Sequence, residues 1–156
     1  MATRARIAIE NIDGSIISSY HHWDGYPAGL GYNLLMNWSD PEKLQEAIML
    51  GDASNWGKTA HPTDEDHSFN NPQEGVNVYY GRDRGEDNTA PVQFADRADF
   101  DLNWECCGEE FAYILNRSTG TWSMIDRYGE RMVHDAEDEI VLARAGMIRM
   151  IQKEAA

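Results

Sequence analysis

Cysteine is nearly absent from this sequence, which has only the neighbours Cys106 and Cys107 among 156 residues. Adjacent cysteines rarely form a disulfide, because neighbouring side chains of an extended chain point to opposite faces. Two reduced thiols are typical of a reducing compartment, and we expect one thiol in the core and the other exposed. A chain of this length buries enough apolar surface to fold without disulfides or metals.

Long apolar runs are also missing. No run reaches the roughly 18 residues of a membrane-spanning helix, so we expect no membrane segment. The basic N-terminus, MATRAR, leads into a strand-like pattern rather than into the apolar core of a signal peptide. These two absences predict a cytoplasmic protein.

Basic residues are few: 13 lysines and arginines stand against 27 acidic residues, a net charge of −14. This balance disfavours general binding to nucleic acid, where lysine and arginine must replace counterions of the phosphate backbone. One interpretation is that the charge keeps the protein soluble. The other interpretation is that the acidic chain binds a basic partner. That partner could be a nucleic-acid-binding protein, which the chain would bind by mimicking the charge of nucleic acid.

The patterns that are present predict a single α+β domain over residues 1–156. Residues 4–12 and 15–23 predict a β-hairpin, with Asp13-Gly14 in a type I′ turn. Further strands are predicted at residues 76–80, 110–115 and 121–125. We expect an antiparallel sheet built from hairpins, with about three helices packed largely on one face.

The predicted helices cover residues 28–38, 41–50 and about 135–153. Ser39 with Glu42 fits a capping box at the start of the second helix. A polar loop is predicted at about residues 58–75, and residues 91–104 read as partly extended chain.

The stretch of residues 19–27, SYHHWDGYP, concentrates chemistry-bearing side chains where a predicted strand meets a predicted helix. Its candidate binding residues are His22, Trp23, Asp24 and Tyr26. Strand alternation places His21 on the face of Ile17 and Ser19, and His22 on the opposite face. The two histidines are therefore poor joint ligands of one metal.

A second dense stretch, residues 79–87 with the sequence YYGRDRGED, contributes the candidates Arg82, Asp83, Arg84 and Glu86. One interpretation is a solvated turn of local ion pairs, each worth less than about 1 kcal/mol. The other is that an arginine holds an anionic ligand bidentately while the carboxylates orient it.

A metal site is the weaker interpretation of the polar loop. His61, Asp64, Asp66 and His67 can chelate in principle, but loops rich in Asp and His are common without a metal. We expect no metal and no cofactor, and we assign no catalytic residue.

The order of the unusual motifs resembles a known group. HWDGYP at residues 22–27, LGD at 50–52 and GRDRGED at 81–87 resemble a family of small uncharacterised bacteriophage and prophage proteins. The chain departs from that pattern by a longer first strand, the additional His21 and a further C-terminal helix. The resemblance implies the cytoplasm of an infected bacterial cell, and it implies no activity.

The expected function is a non-catalytic binding protein that modulates a host process. It would occupy a host protein, or sequester a small anionic ligand such as a nucleotide between Trp23, Tyr26, Arg82 and Arg84.

Two alternatives stay open. A hydrolase would use His22 as general base, oriented by Asp24 or Asp83. In a structural or virion-associated protein, Trp23 and Tyr26 would anchor the helix on the sheet, and Asp24 would cap that helix or pair with an arginine.

Overall fold

A computed structural model describes residues 2–128 and 131–155. Eight strands in the described residues join one sheet, and the same residues contain five α-helices and a π-helical turn. The strands are β1 (Ala5–Glu10), β2 (Ile16–His21), β3 (Ala53–Asn55), β4 (Val78–Tyr79), β5 (Val92–Phe94), β6 (Phe111–Asn116), β7 (Trp122–Asp126) and β8 (Arg131–Val133).

The helical elements begin with the π-helical turn Pro27–Gly31, which leads directly into the first α-helix. None of the helices in the described residues has both the length and the apolar character needed to cross a membrane. The α-helices are α1 (Tyr32–Asn37), α2 (Pro41–Met49), α3 (Tyr80–Arg84), α4 (Arg97–Asn103) and α5 (Glu137–Ala155).

The sheet is mixed, so the predicted antiparallel sheet of hairpins is wrong in this respect. Its strand order is β4-β3-β2-β1-β6-β7-β8, with β5 paired to the outer edge of β2. β1 is antiparallel to β2 but parallel to β6, and β2 is parallel to β3. A parallel neighbour needs a crossover connection, and the long segment between β2 and β6 supplies it for the central pair.

The helices cover both faces of the sheet, so the prediction of about three helices undercounted them. On one face Ile7 and Ile9 of β1 belong to the larger core, together with residues of α1, α2 and α5. On the other face Phe100 of α4 and Trp104 pack against Ile114 in a smaller core. The domain therefore combines α and β structure, as predicted, but in a three-layer arrangement.

The hairpin β1–β2 forms as predicted, but its turn is longer than a type I′ turn. Asn11 accepts a hydrogen bond from the Gly14 N–H and donates one to the Ser15 carbonyl. Only Gly14 has a positive φ here, at 90°, whereas a type I′ turn requires positive φ at both central residues. The connection is therefore a three-residue loop closed by a glycine bulge.

Several local predictions differ from the observed elements. Asp40, rather than Ser39, caps α2, because its carboxylate accepts a hydrogen bond from the Glu42 N–H. Residues 91–104 form β5 and then α4, which Asp96 caps through the Asp99 N–H. The predicted charged turn begins as helix α3, and strands β3 and β8 are too short to give a recognisable alternation.

The peptide of Gly25 joins the segment after β2 to the centre of the sheet. Its N–H donates to the carbonyl of Thr3, and its carbonyl accepts a hydrogen bond of 2.7 Å from the buried Tyr113 hydroxyl on β6. A Cβ at position 25 would lie 2.7 Å from the Cβ of Ala5, which only glycine avoids. This close packing sets where the following turn and helix lie.

Replacing Tyr113 by Phe tests this connection. We expect the free energy of unfolding to fall by about 1–3 kcal/mol, because the buried Gly25 carbonyl loses its hydroxyl donor. Urea denaturation followed by circular dichroism measures the change. Tyr128→Phe is the matched control, since that exposed hydroxyl bonds Glu110 at the surface. Equal effects of the two substitutions would contradict the assigned role of Tyr113.

Candidate functional site

A cavity of about 460 Å³ lies where β2 ends, beside the π-helical turn and α5. The motif of residues 22–27 supplies three of its lining side chains, Trp23, Asp24 and Tyr26. Other elements supply the rest of the polar and aromatic lining: His21, Asn33, Asn55, Trp56, Lys58, Glu74 and Arg144. The first predicted stretch therefore does contribute to the cavity.

The backbone conformation explains why Asp and Gly stand at positions 24 and 25 of the motif. Asp24 has a φ of 57°, in the left-handed region that Asp and Asn tolerate better than most residues. This conformation turns the chain out of β2 and leads it into the close contact at Gly25. The Asp24 carbonyl then accepts a hydrogen bond from the Leu30 N–H at 2.9 Å. Its carboxylate has no hydrogen-bond or ion-pair partner within the described residues, so the predicted side-chain cap and arginine pair do not form.

His21 is the buried titratable group of the cavity. Its Nε2 lies 2.6 Å from the Trp23 carbonyl, which can only accept, so Nε2 carries the proton. Burial lowers the pKa of His21 to about 4, and the ring is therefore neutral at pH 7. Its Nδ1 is then a bare acceptor, buried and without a protein partner among the described residues.

Trp56 is a second lining residue with a buried, unpaired polar atom. Its ring packs 4.7 Å from that of Trp38, and its indole N–H is buried without a partner in the described part of the chain. Asn33 on α1 holds this segment by donating to the carbonyls of Trp56 and Gly57, at 3.2 and 2.9 Å. The buried acceptor of His21 and the buried donor of Trp56 therefore belong to two residues that line one cavity.

The charges around the cavity are balanced in number. Lys58 and Arg144 are basic, and Asp24 and Glu74 are acidic. Arg144 is fixed in place, because it donates to the Ala28 carbonyl at 3.1 Å and lies 4.8 Å from the centroid of the Tyr32 ring. In a chain with about twice as many acidic as basic residues, the lining of this cavity is therefore less acidic than the chain as a whole.

His22 lies outside the cavity lining. Its Nδ1 lies 2.7 Å from the Tyr20 hydroxyl, and its ring meets Trp23 edge-on at 4.8 Å. Burial, and then the charge of Arg4, lower the pKa of His22. Neither Asp24 nor Asp83 bonds to it among the described residues. The alternation predicted for β2 is confirmed, since His21 and His22 have separate surroundings.

The second predicted stretch begins at the last residue of β4 and continues through α3, and none of its residues lines this cavity. Arg82 bonds Asp83 at 2.8 Å and donates to the backbone of Asn77. Arg84 lies 4.1 Å from the centroid of the Phe69 ring and binds Glu86 at 2.6 Å. These contacts favour the interpretation as local ion pairs.

Asp83 is the centre of that second group. Its carboxylate accepts the Tyr79 N–H at 2.8 Å and lies 3.3 Å from Nε2 of His67. Burial raises the pKa of Asp83. Hydrogen bonds from Arg82, the Tyr79 N–H and His67 outweigh this effect and together hold that pKa below its usual value. Asp83 thus ties α3 to the polar loop of residues 58–75.

The polar loop does not gather its candidate metal ligands. His61 bonds Glu46 at 2.6 Å, His67 pairs with Asp83, and the Asp64 carboxylate accepts the Asp66 N–H. Within the described residues these four side chains form no metal-binding group.

The two cysteines also differ from the expectation that one of them lies in the core. Both Cys106 and Cys107 are exposed.

Sequence reasoning missed three important lining residues. His21 had a readable signal, because alternation placed it on the same face as Ile17, which packs on the larger core. Arg144 could also have been noticed, because it is a cation between apolar residues of the C-terminal helix. Trp56 had none, since the short strand β3 that carries the chain toward it was not predicted.

Comparison with known proteins gives no relative. No family model, no curated protein and no solved structure matches the chain. The resemblance to phage proteins therefore stays a prediction, and the site must be judged on its own geometry.

Asp24 allows a test that separates backbone from carboxylate. Asp24→Asn is expected to leave the free energy of unfolding unchanged, because Asn accepts the left-handed conformation and the carboxylate bonds to none of the described residues. Asp24→Ala is expected to lose about 1–2 kcal/mol through backbone strain. Chemical denaturation of the two variants measures the difference. An equal loss in both would show that the carboxylate itself stabilises the fold.

The buried His21 predicts an acid-sensitive fold. The unfolded chain protonates this ring near pH 6.5, whereas the native ring protonates only near pH 4. Stability is therefore fully present above pH 6.5 and falls as the pH drops toward 4, by up to about 3 kcal/mol. Urea denaturation across this range measures the slope. In His21→Gln the slope should be shallower, and an unchanged slope would exclude His21 as its source.

Proposed function

We propose that this protein binds a small, flat, nucleotide-like molecule in the cavity at the end of β2 and holds it without converting it. The observation that carries the proposal is the pair of buried, unpaired polar atoms, His21 Nδ1 and Trp56 Nε1, on residues that line one cavity. Unpaired buried polar groups are costly and uncommon in native proteins. A ligand that offers one donor and one acceptor satisfies both.

The lining supports a flat ring in particular. Trp23, which is 45% exposed, lines the cavity together with Tyr26 and Trp56. Aromatic side chains stack on nucleobases at about 1–3 kcal/mol per base. The edge of a nucleobase carries neighbouring donors and acceptors, which matches a bare imidazole nitrogen and an indole N–H. A cavity of about 460 Å³ lies within the usual range for small-molecule sites.

The two cations support an anionic substituent on that ring. Arg144 is held by the Ala28 carbonyl and the Tyr32 ring, and Lys58 is exposed at the rim. Both side chains line the cavity, so a phosphate bound there would lie beside two cations. These residues replace Arg82 and Arg84 in the expected role, since the latter pair is engaged by neighbouring carboxylates.

The absence of a base–orienter pair at His22 supports binding rather than hydrolysis. Its ring nitrogen Nδ1 contacts a tyrosine hydroxyl, and the described residues place no carboxylate beside it. Together with the resemblance to phage proteins, this favours a protein that lowers the free concentration of its ligand in an infected bacterial cell.

Isothermal titration calorimetry with AMP, GMP, CMP, UMP and adenosine tests the proposal. We expect at least one nucleotide to bind with a dissociation constant below about 1 mM. Trp23→Ala should weaken binding about tenfold or more through lost stacking. Arg144→Gln should weaken the binding of AMP more than the binding of adenosine, because only AMP carries the phosphate. Arg84→Gln is the matched control and should bind as the natural protein does.

The remaining outcomes decide against the proposal. A folded protein that gives no binding heat with any of the four nucleotides would exclude a nucleotide-like ligand. Loss of binding in Arg84→Gln but not in Arg144→Gln would move the site to α3. Chromatography of the recovered nucleotide checks that it is unchanged, and a hydrolysed product would favour the enzyme.

A further inference from the structure

The loop between α4 and β6 brings three metal-binding side chains together. The sulfur atoms of Cys106 and Cys107 lie 3.5 Å apart, and the Cys106 sulfur lies 3.8 Å from a carboxylate oxygen of Glu109. The ligand atoms of the three residues all fall within 4.8 Å of one another. This group lies on the α4 face of the sheet, opposite the cavity, and is independent of the proposed function.

Two of these three separations are close to the edges of a tetrahedral metal site. Two zinc–sulfur bonds of about 2.3 Å that meet at the tetrahedral angle hold their sulfurs about 3.8 Å apart. A zinc–sulfur bond and a zinc–oxygen bond of about 2.0 Å separate sulfur and oxygen by about 3.5 Å. The observed distances of 3.5 and 3.8 Å are close to these values, and the third pair, the Cys107 sulfur and a Glu109 oxygen, lies within 4.8 Å and closes to about 3.5 Å when both bind one metal. Both cysteines are exposed, which leaves a fourth position open to water.

Buried Arg6 completes the surroundings of the group. Its Nε donates to the Glu109 carboxylate at 2.7 Å, one Nη lies 3.2 Å from the Cys106 sulfur, and the other donates to Ser18 at 2.9 Å. Glu109 is itself fully buried, and its second oxygen accepts the Cys107 N–H. Such outer contacts orient the ligands of protein metal sites.

The charges also balance. Two thiolates and one carboxylate carry three negative charges, which a divalent cation and the Arg6 guanidinium neutralise. A disulfide is a poorer interpretation of the same pair. Adjacent residues have Cα atoms about 3.8 Å apart, which is below the usual span of about 4.4–6.8 Å across a disulfide.

We propose that Cys106, Cys107 and Glu109 form a binding site for a soft divalent cation of the zinc class. Binding replaces the two thiol protons, which are released to solvent, by two metal–sulfur bonds and one metal–oxygen bond. No electron transfer takes place. Sequence analysis did not identify this site, because two neighbouring cysteines lack the spacing of known zinc motifs.

Cobalt titration of the full-length reduced protein tests the site, because Co²⁺ bound to thiolates has an intense near-ultraviolet charge-transfer band. We expect this band to appear with one equivalent of Co²⁺ and to disappear when Zn²⁺ displaces it. Cys106→Ser and Cys107→Ser should each lower the affinity about tenfold or more. Circular dichroism confirms that each variant is folded, which is expected because both side chains are exposed.

His61→Ala is the matched control, since this exposed histidine lies in the polar loop and is a plain alternative ligand. It should keep both the band and the affinity. Absence of the band in the natural protein would overturn the proposal. Unchanged affinity in the double variant Cys106→Ser/Cys107→Ser would overturn it as well, and loss of binding in His61→Ala would place the metal in the polar loop.

Discussion

The two backbone hydrogen bonds of Gly25 fix the segment after β2 to the centre of the sheet. One bond runs to Thr3, just before β1, and the other comes from Tyr113 on β6. The segment after β2 is therefore fixed against both central strands at the point where it leaves the sheet. The position of the π-helical turn, and with it one wall of the cavity, follows from this contact. Asp24 and Gly25 are explained by backbone geometry alone, without any appeal to ligand binding.

The buried polar residues on the two faces of the sheet differ in charge: His21 is neutral, whereas Arg6 and Glu109 form an ion pair. On one face His21 stays neutral, and its Nδ1 is buried without a hydrogen-bond partner among the described residues. On the other face Arg6 and Glu109 are both buried but paired at 2.7 Å. Breaking such a pair is costly, because the remaining charge has no solvent. The first group has unused hydrogen-bonding capacity, whereas the second is a rigid support for the cysteines beside it.

Local patterns predicted the elements that depend on local sequence. The hairpin β1–β2 and the helix after Pro41 follow from alternation, turn residues and capping. The parallel pairing of β1 with β6 does not, because it joins segments with no shared local signal. The site divides in the same way: Trp23, Asp24 and Tyr26 could be predicted from one dense stretch. Trp56 and Arg144 could not be grouped with them, because only the tertiary fold brings three distant segments to one cavity.

The same parallel pairing has a consequence for how the chain folds. Ala5 pairs with Phe111 and Glu10 with Asn116, so the central contacts of the sheet have a very large sequence separation. Contacts of this kind slow folding, since the loop must close before they stabilise anything. On the ribosome the first hairpin must wait with one edge of β1 unpaired until β6 has been synthesised. An unpaired apolar edge is prone to association with other chains. We therefore expect the risk of aggregation to be highest during synthesis, before β6 has emerged from the ribosome.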